Sequence, residues 1–146
     1  MSVHRSISAL VAPRVTARAH CDLPCGVYDP EQARIEAESC YRIVEKYHAS
    51  TDELFRQRCV VVKEARAEET KHHIDVLWHD YFKPEHLEAY PDLHDVCWKA
   101  SKAASKVKQS TDPAAASELL ALIDRIDEMW KGTGGLGKTR INGRPS

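Results

Sequence analysis

The stretch Asp29-Pro30-Glu31-Gln32 begins the first of four amphipathic segments, and these segments decide the fold. Aspartate is a favoured N-cap residue, proline is favoured at the first helical position, and Gln32 is placed to complete a capping box. Beyond this start, small or apolar residues recur at spacings of four and three, at Ala33, Ala37, Cys40, Val44 and Tyr47. This spacing predicts a helix with one buried face that reaches nearly to His48.

Three further segments have helical patterns. Ser50-Thr51-Asp52 is a second cap, and the helix after it is predicted to run to about Tyr81. Pro91 and Asp112-Pro113 precede the third and fourth helices. The residues expected to be buried are Leu54, Val61, Ala65, Ile74, Leu77, Trp78 and Tyr81 in the second helix, Leu93, Val96, Cys97, Ala100, Ala104 and Val107 in the third, and Leu119, Leu120, Ile123, Ile126 and Trp130 in the fourth.

These elements predict an all-α fold, an up-and-down four-helix bundle over residues 31–131 with an N-terminal metal-binding hook. Short connections between helices favour antiparallel neighbours. Cys40, Cys59 and Cys97 lie within helical segments and are expected to be buried thiols. The tail, residues 132–146, is rich in Gly, Lys and Arg without periodicity, and we expect it to be flexible.

Composition narrows the class of protein. At 146 residues with a net charge of -1, the chain has room for one domain, and its overall charge gives no reason to expect nucleic acid or an acidic membrane surface as a partner. Five cysteines, an odd number, argue against a disulfide framework and favour a reducing compartment, so we expect a cytoplasmic protein. No apolar run approaches the roughly 20 residues of a membrane helix.

Upstream of the first helix lies His20-Cys21-Asp22-Leu23-Pro24-Cys25-Gly26-Val27-Tyr28, a candidate metal site. Four extended residues span about 13 Å, so the two cysteines can share one ion only if the chain between them curls. Pro24 fixes one dihedral and Gly26 permits positive φ, which provides such a turn, and Leu23-Pro24 is a candidate cis bond. We call residues 20–30 the hook.

Residues 1–19 differ from the rest, because they contain Arg5, Arg14 and Arg18 but no Asp or Glu. This composition predicts a removable leader. It fits an organelle transit peptide and equally a pro-segment that is removed in the cytoplasm by a processing protease.

The start of the mature chain decides how many ligands the hook offers. Two thiolates and one imidazole are one ligand short of a closed tetrahedral zinc site. Cleavage after Ala19 would free the α-amine of His20, which forms a five-membered chelate with the amide nitrogen of Cys21. Two nitrogens and two sulfurs in a plane favour Ni(II) or Cu(II) over Zn(II), with the His20 imidazole as an axial ligand. Thiolate and anionic amide donors also make a Ni(II)/Ni(III) couple accessible.

The hook resembles that of the nickel-containing superoxide dismutases throughout its eleven residues, His20 to Pro30. The resemblance extends from about Ala19 to Trp130, through residues 33–39, Lys71-His72-His73, Val76-Leu77-Trp78 and residues 80–84. It implies dismutation of superoxide to oxygen and hydrogen peroxide by a homohexamer of four-helix bundles, with one nickel ion per subunit.

The resemblance also implies roles for single residues. It makes His20, Cys21 and Cys25 the nickel ligands and Tyr28 the tyrosine that gates the open axial face. Around them it implies that Glu36 and Arg66 hold the axial imidazole, with the arginine supplied by a neighbouring subunit, that Asp22 bonds the backbone of the turn, and that Lys83 steers the anionic substrate.

Two other functions fit parts of the sequence. Carboxylate di-iron bundles use ExxH spacings on two helices, and Glu45 to His48 and Glu69 to His72 have this spacing. Alternatively, the hook could belong to a metal carrier that passes nickel or copper to a partner protein.

Overall fold

The computed structural model describes residues 25–138. The leader, His20, Cys21, Asp22, the candidate cis bond and the end of the tail lie outside the described residues. The helices are α1 (Glu31–Ala49), α2 (Glu53–Val76), α3 (His86–Ala89), α4 (Leu93–Gln109), α5 (Pro113–Gly132) and α6 (Gly135–Lys138). The four long helices contact one another in ring order, α1 with α2, α2 with α4, α4 with α5 and α5 with α1. The predicted four-helix bundle is therefore confirmed.

The helix starts follow the predicted capping residues. Asp29 Oδ1 accepts a hydrogen bond from the Glu31 N–H at 2.8 Å, which satisfies one unpaired donor of the first turn of α1. Asp52 accepts from the N–H groups of Leu54 and Phe55 at the start of α2, and Asp112 accepts from that of Ala114 at the start of α5. These caps fix where three of the four long helices begin, whereas α4 starts without a side-chain cap, and the first cap places the hook directly before α1.

Three of the four predicted buried faces are confirmed in most positions. The α1 residues Ala33, Ala37, Cys40 and Val44 are buried, as are all six residues predicted for α4. In α5, Leu119, Ile123, Ile126 and Trp130 are buried. Tyr47 and Leu120 are half-buried. Cys40, Cys59 and Cys97 are buried free thiols, as predicted.

The prediction for the first half of α2 is wrong. Leu54 and Val61 are each 69% exposed and Ala65 is exposed, whereas the residues that α2 buries are Cys59, Lys63, Ala67, Thr70 and Ile74. These residues also follow spacings of three and four. The hydrophobic pattern missed the face because it counts a lysine and a threonine as polar. Leu77 and Tyr81, further along, are buried as expected, and Trp78 is half-buried.

Lys63 is only 2% exposed and caps the C-terminal end of α4. Its ammonium donates hydrogen bonds to the carbonyl oxygens of Val107 and Lys108, the second at 2.8 Å. These carbonyls belong to the last turn of α4, where a positive charge is favourable. Burial lowers the pKa of the Lys63 ammonium. Lys63 therefore joins α2 to α4 through a polar contact inside an apolar core.

We expect Lys63→Ala to lower the free energy of unfolding by about 3 kcal/mol, because it removes buried methylenes and two hydrogen bonds. Urea unfolding of the metal-free protein measures this change. Lys46→Ala is the matched control, since Lys46 is an exposed lysine in α1 and its loss should change stability by less than about 0.5 kcal/mol. Equal stability of the two variants would contradict the role of Lys63.

The end of α2 is wound differently from the rest of the helix. Residues Leu77–Tyr81 form one π-helical turn, and the Phe82 N–H donates to the Leu77 carbonyl at 3.0 Å. The helical segment thus ends at Tyr81 as predicted, although its last turn is not α-helical. Tyr81 and Phe82 are buried, and Lys83 is exposed.

Part of the tail is ordered. Where the sequence pattern predicted no structure, Gly135–Lys138 forms the short helix α6. Gly135 lies against the buried indole of Trp130, and a Cβ atom at this position would come within 2.2 Å of Trp130 Cε2. Glycine therefore allows α6 to approach the end of α5. None of the helices in the described part of the chain combines the length and apolarity that a membrane crossing requires.

Candidate metal centre

Cys25 is the exposed thiol among the four cysteines of residues 25–138. Gly26, which follows it, has a φ of +73°, a conformation that glycine adopts without strain. By contrast, burial raises the pKa of the Cys40 thiol to about 11 and that of Cys97 to about 12. A thiol must lose its proton and reach the ion to bind a metal, and Cys59 is also buried, within α2, so Cys25 is the cysteine of this region suited to be a ligand.

Tyr28 lies where the hook meets the bundle. Its half-buried ring packs against that of Tyr81, with ring centroids 6.0 Å apart and an angle of 55° between the planes. The Tyr81 hydroxyl is 2.8 Å from the hydroxyl oxygen of Thr133, at the end of α5. Burial raises the pKa of the Tyr81 phenol. Tyr81 is a site neighbour that sequence reasoning classed as a core residue, because the pattern of apolar residues gives burial but not the identity of the contact.

Glu36 and Arg66 form an ion pair across α1 and α2. Arg66 Nη1 donates to Glu36 Oε2 at 2.9 Å, and the two side chains are 39% and 18% exposed, respectively. The structure therefore brings together two predicted site residues. Within this chain the two residues belong to adjacent helices of the bundle, and the expectation that a neighbouring subunit supplies the arginine at the imidazole stays a prediction. Their side chains meet because α1 and α2 pack along their lengths.

Lys83 lies just beyond the π turn and is exposed. Its backbone N–H donates to His86 Nδ1 at 3.2 Å, which holds the chain at the start of the connection to α3. Because two residues span at most about 7 Å, Lys83 is near Tyr81 and at the end of the bundle where Tyr81 meets Tyr28.

A complete metal site is not formed by residues 25–138 alone, because no group of three or more His, Cys, Asp or Glu side chains there could hold an ion. The other predicted ligands, His20 and Cys21, precede this range. The one predicted ligand within the described range nevertheless fits nickel. Cys25 offers a thiolate, which suits a soft metal site, and Glu36, on the first helix after the hook, is a carboxylate that can orient a ligand imidazole without binding the ion itself.

The di-iron interpretation is wrong. Glu45 and His48 are exposed, with Glu45 bonded to Arg42 at 2.8 Å and His48 Nε2 lying 2.7 Å from the Thr111 carbonyl oxygen. The second pair, Glu69 and His72, is also exposed. Di-iron bundles need these side chains to project into the core, and here all four point away from it.

Comparison with known proteins identifies the family. The family model described as nickel-containing superoxide dismutase matches residues 15–133. The chain belongs to the nickel-containing superoxide dismutases. It is 56% identical over 124 residues to the superoxide dismutase [Ni] of Streptomyces seoulensis, a match that covers 85% of this chain and 95% of that protein. It is 53% identical to the superoxide dismutase [Ni] of Streptomyces coelicolor, and this match also covers 85% of this chain and 95% of the other protein.

Solved structures agree with this assignment. A crystal structure of a nickel-containing superoxide dismutase, with nickel ligation corresponding to the oxidized state, superposes with a TM-score of 0.76 at 56% identity. The match covers 80% of this chain and 99% of that one. As a member of this family the chain is an oxidoreductase that acts on superoxide and uses nickel, so the metal-carrier interpretation is not supported.

Proposed function

We propose that this enzyme dismutates superoxide at a nickel ion bound by His20, Cys21 and Cys25, one ion per subunit. The observation that carries the proposal is the exposed Cys25 thiol, which is followed by the left-handed Gly26 and precedes α1, the helix that bears Glu36 in its ion pair with Arg66. Two superoxide anions and two protons give one oxygen and one hydrogen peroxide. Bound nickel would supply the one-electron couple between its +2 and +3 states that both half-reactions require.

The side chains around the hook have separate tasks in this proposal. Glu36 accepts a hydrogen bond from the His20 imidazole and orients it, and Arg66 keeps the carboxylate in place and charged. Tyr28, supported by the ring of Tyr81, restricts access to the open face of the site. Asp22 bonds the backbone of the turn.

Lys83 adds a positive charge at the same end of the bundle. Because its side chain is exposed, it can attract the superoxide anion through solvent without entering the site. The attraction between Lys83 and superoxide, and with it the rate of substrate capture, should weaken as the salt concentration rises.

Metal analysis together with an assay tests the proposal. Mature protein that begins at His20 should contain one nickel ion per chain, and its dismutase activity should disappear when a chelator removes the nickel and return when nickel is added. Zinc should not restore the activity, since it has no accessible one-electron couple. Full activity in the nickel-free protein would overturn the proposal.

We expect Glu36→Gln to lower the dismutase activity by about 10- to 100-fold while nickel remains bound, because a neutral amide orients the imidazole less strongly. The activity per bound nickel measures the effect. Glu38→Gln is the matched control, since Glu38 lies on the same helix and forms an exposed ion pair with Arg34 at 3.3 Å. If both variants had the same activity, Glu36 would not have this role.

The homohexamer is also part of the proposal, and an apolar surface supports self-association. Four large apolar side chains near the start of α2 are 41 to 69% exposed: Leu54, Phe55, Val61 and Val62. They line two adjoining grooves together with Ile43 and Arg58. Contiguous apolar surface of this kind is typical of interfaces. The number six comes from the family resemblance, and light scattering of the mature protein should give the mass of six chains.

Maturation and location complete the proposal. A processing protease would remove residues 1–19 and so create the amine of His20. The free state of the buried Cys40, Cys59 and Cys97 agrees with a reducing compartment, which supports a cytoplasmic enzyme.

A further inference from the structure

A small cavity separates the hook from the bundle. Its volume is about 20 Å³, which is enough for one water molecule. One wall is the last part of the hook, residues 27–29, which we call the stem. The opposite wall consists of Gln32 in α1, His73 and Val76 in α2, and Leu77 in the π turn. The cavity therefore lies where three parts of the chain meet.

The cavity has the chemistry of a water site. Four of its seven lining residues carry polar side chains, namely Tyr28, Asp29, Gln32 and His73. A buried water molecule needs two to four polar partners, and this lining offers both donors and acceptors. An anion would be less favourable there, because the carboxylate of Asp29 lines the same space.

His73 is the residue through which α2 presents a polar group to the stem. It is half-buried, whereas its neighbour His72 is exposed and does not line the cavity. The two imidazole rings lie with their centroids 5.4 Å apart. Ile74, on the other side of His73, is buried in the core. His73 therefore occupies the boundary between the core face and the surface of α2, where it lines the same cavity as the stem.

Asp29 connects this boundary to the helix start. One of its carboxylate oxygens accepts the hydrogen bond from the Glu31 N–H that begins α1. The same residue lines the cavity beside His73. Any contact that fixes the stem at the cavity therefore also fixes the cap of α1. Because Cys25 is two residues from the stem, the direction of the stem sets where its thiol can reach.

We propose that His73 is a positioning residue for the hook. Through the water-sized cavity and its packing against residues 27–29, it holds the stem in the orientation that Cys25 needs to reach the metal. The expected effect of His73 on nickel binding rests on the proposed function above. The expected effect of His73 on the orientation of the stem is independent of that function, because it concerns the metal-free protein.

Hydrogen exchange of the Glu31 amide tests the proposal in metal-free protein. This N–H is bonded to Asp29, so it reports directly on the stem. We expect His73→Leu to accelerate its exchange about fivefold, the change that corresponds to the loss of one hydrogen bond. His72→Leu is the matched control and should leave the rate unchanged. His73→Gln, which keeps a polar group at the cavity, should restore most of the protection.

Nickel release is the second measurement. After nickel loading, transfer of the ion to a chelator should be about tenfold faster from His73→Leu than from His72→Leu. Thermal unfolding of each variant shows whether the bundle stays intact. Unchanged Glu31 exchange in an intact His73→Leu protein would overturn the proposal. If exchange accelerates but nickel release does not, His73 fixes the stem without positioning Cys25 for the metal, and that part of the proposal is overturned.

Discussion

Cys25→Ser should lower the dismutase activity by more than about 100-fold and leave the bundle folded. Loss of a residue that only supports a metal ligand costs about 10- to 100-fold, and loss of a ligand costs more. A serine hydroxyl is a hard donor that keeps its proton at neutral pH, so it cannot replace a thiolate. Because Cys25 is exposed and precedes α1, its substitution should change the stability of the metal-free bundle by less than about 0.5 kcal/mol.

The matched control for this experiment is Cys59→Ala. Cys59 is a buried cysteine near the start of α2, and α1 and α2 are antiparallel, so it lies toward the opposite end of the bundle from the hook. Its substitution should cost stability but keep the activity per folded, nickel-loaded chain. Circular dichroism and a superoxide assay separate the two effects. Substantial turnover in folded Cys25→Ser protein would show that Cys25 is not a ligand.

A chain that keeps a single residue before His20 should be almost inactive. The extra peptide bond converts the α-amine of His20 into an amide, so the free amine of the proposed ligand set is lost, and this nitrogen could bind only by giving up a far less acidic proton. Because a metal ligand is lost, the expected decrease in activity is again more than about 100-fold. Two proteins test this, one that begins at His20 and one that begins at Ala19, both released from a fusion by a sequence-specific protease and confirmed by mass.

A chain with one extra alanine after Ser146 serves as the control for length and handling, and it should be fully active. The pH dependence of loading gives an independent check, because the α-amine has a reference pKa of about 7.7 to 8.0 and must lose its proton to bind. Nickel uptake by the chain that begins at His20 should therefore rise through this pH range. Full activity in the chain that begins at Ala19 would exclude the amine as a ligand.

Much of the bundle could be predicted from the sequence because its apolar positions are also its buried positions. This holds for α4, where every residue of the predicted face is buried. It fails for the first half of α2, where Lys63 and Thr70 are in the core and Leu54 and Val61 are at the surface. Lys63 is buried because the free carbonyls at the end of α4 solvate its charge. No pattern within α2 contains that information, since the partner is more than 40 residues away.

The site was predictable where its chemistry is local. A thiol beside a left-handed glycine can be inferred from neighbouring residues, as Cys25 and Gly26 show. Contacts that depend on how the helices pack could not be predicted. The sequence offered no way to learn that Glu36 and Arg66 meet within one bundle, or that His73 lines a cavity beneath the stem. Both contacts depend on which residues of α1 lie beside which residues of α2 when the two helices pack together.

The π turn at Leu77–Tyr81 determines where this segment can change its length. A π turn accommodates one more residue than an α-helical turn over the same rise. Deleting one residue within the turn would let the α-helix continue, and the direction of Phe82 and Lys83 would be kept because the turn itself holds the extra residue. Deleting one residue in the α-helical part of α2 would instead rotate the following chain by roughly 100° and take Phe82 out of the core. The π turn is therefore the part of this segment that can lose a position without turning the chain that follows.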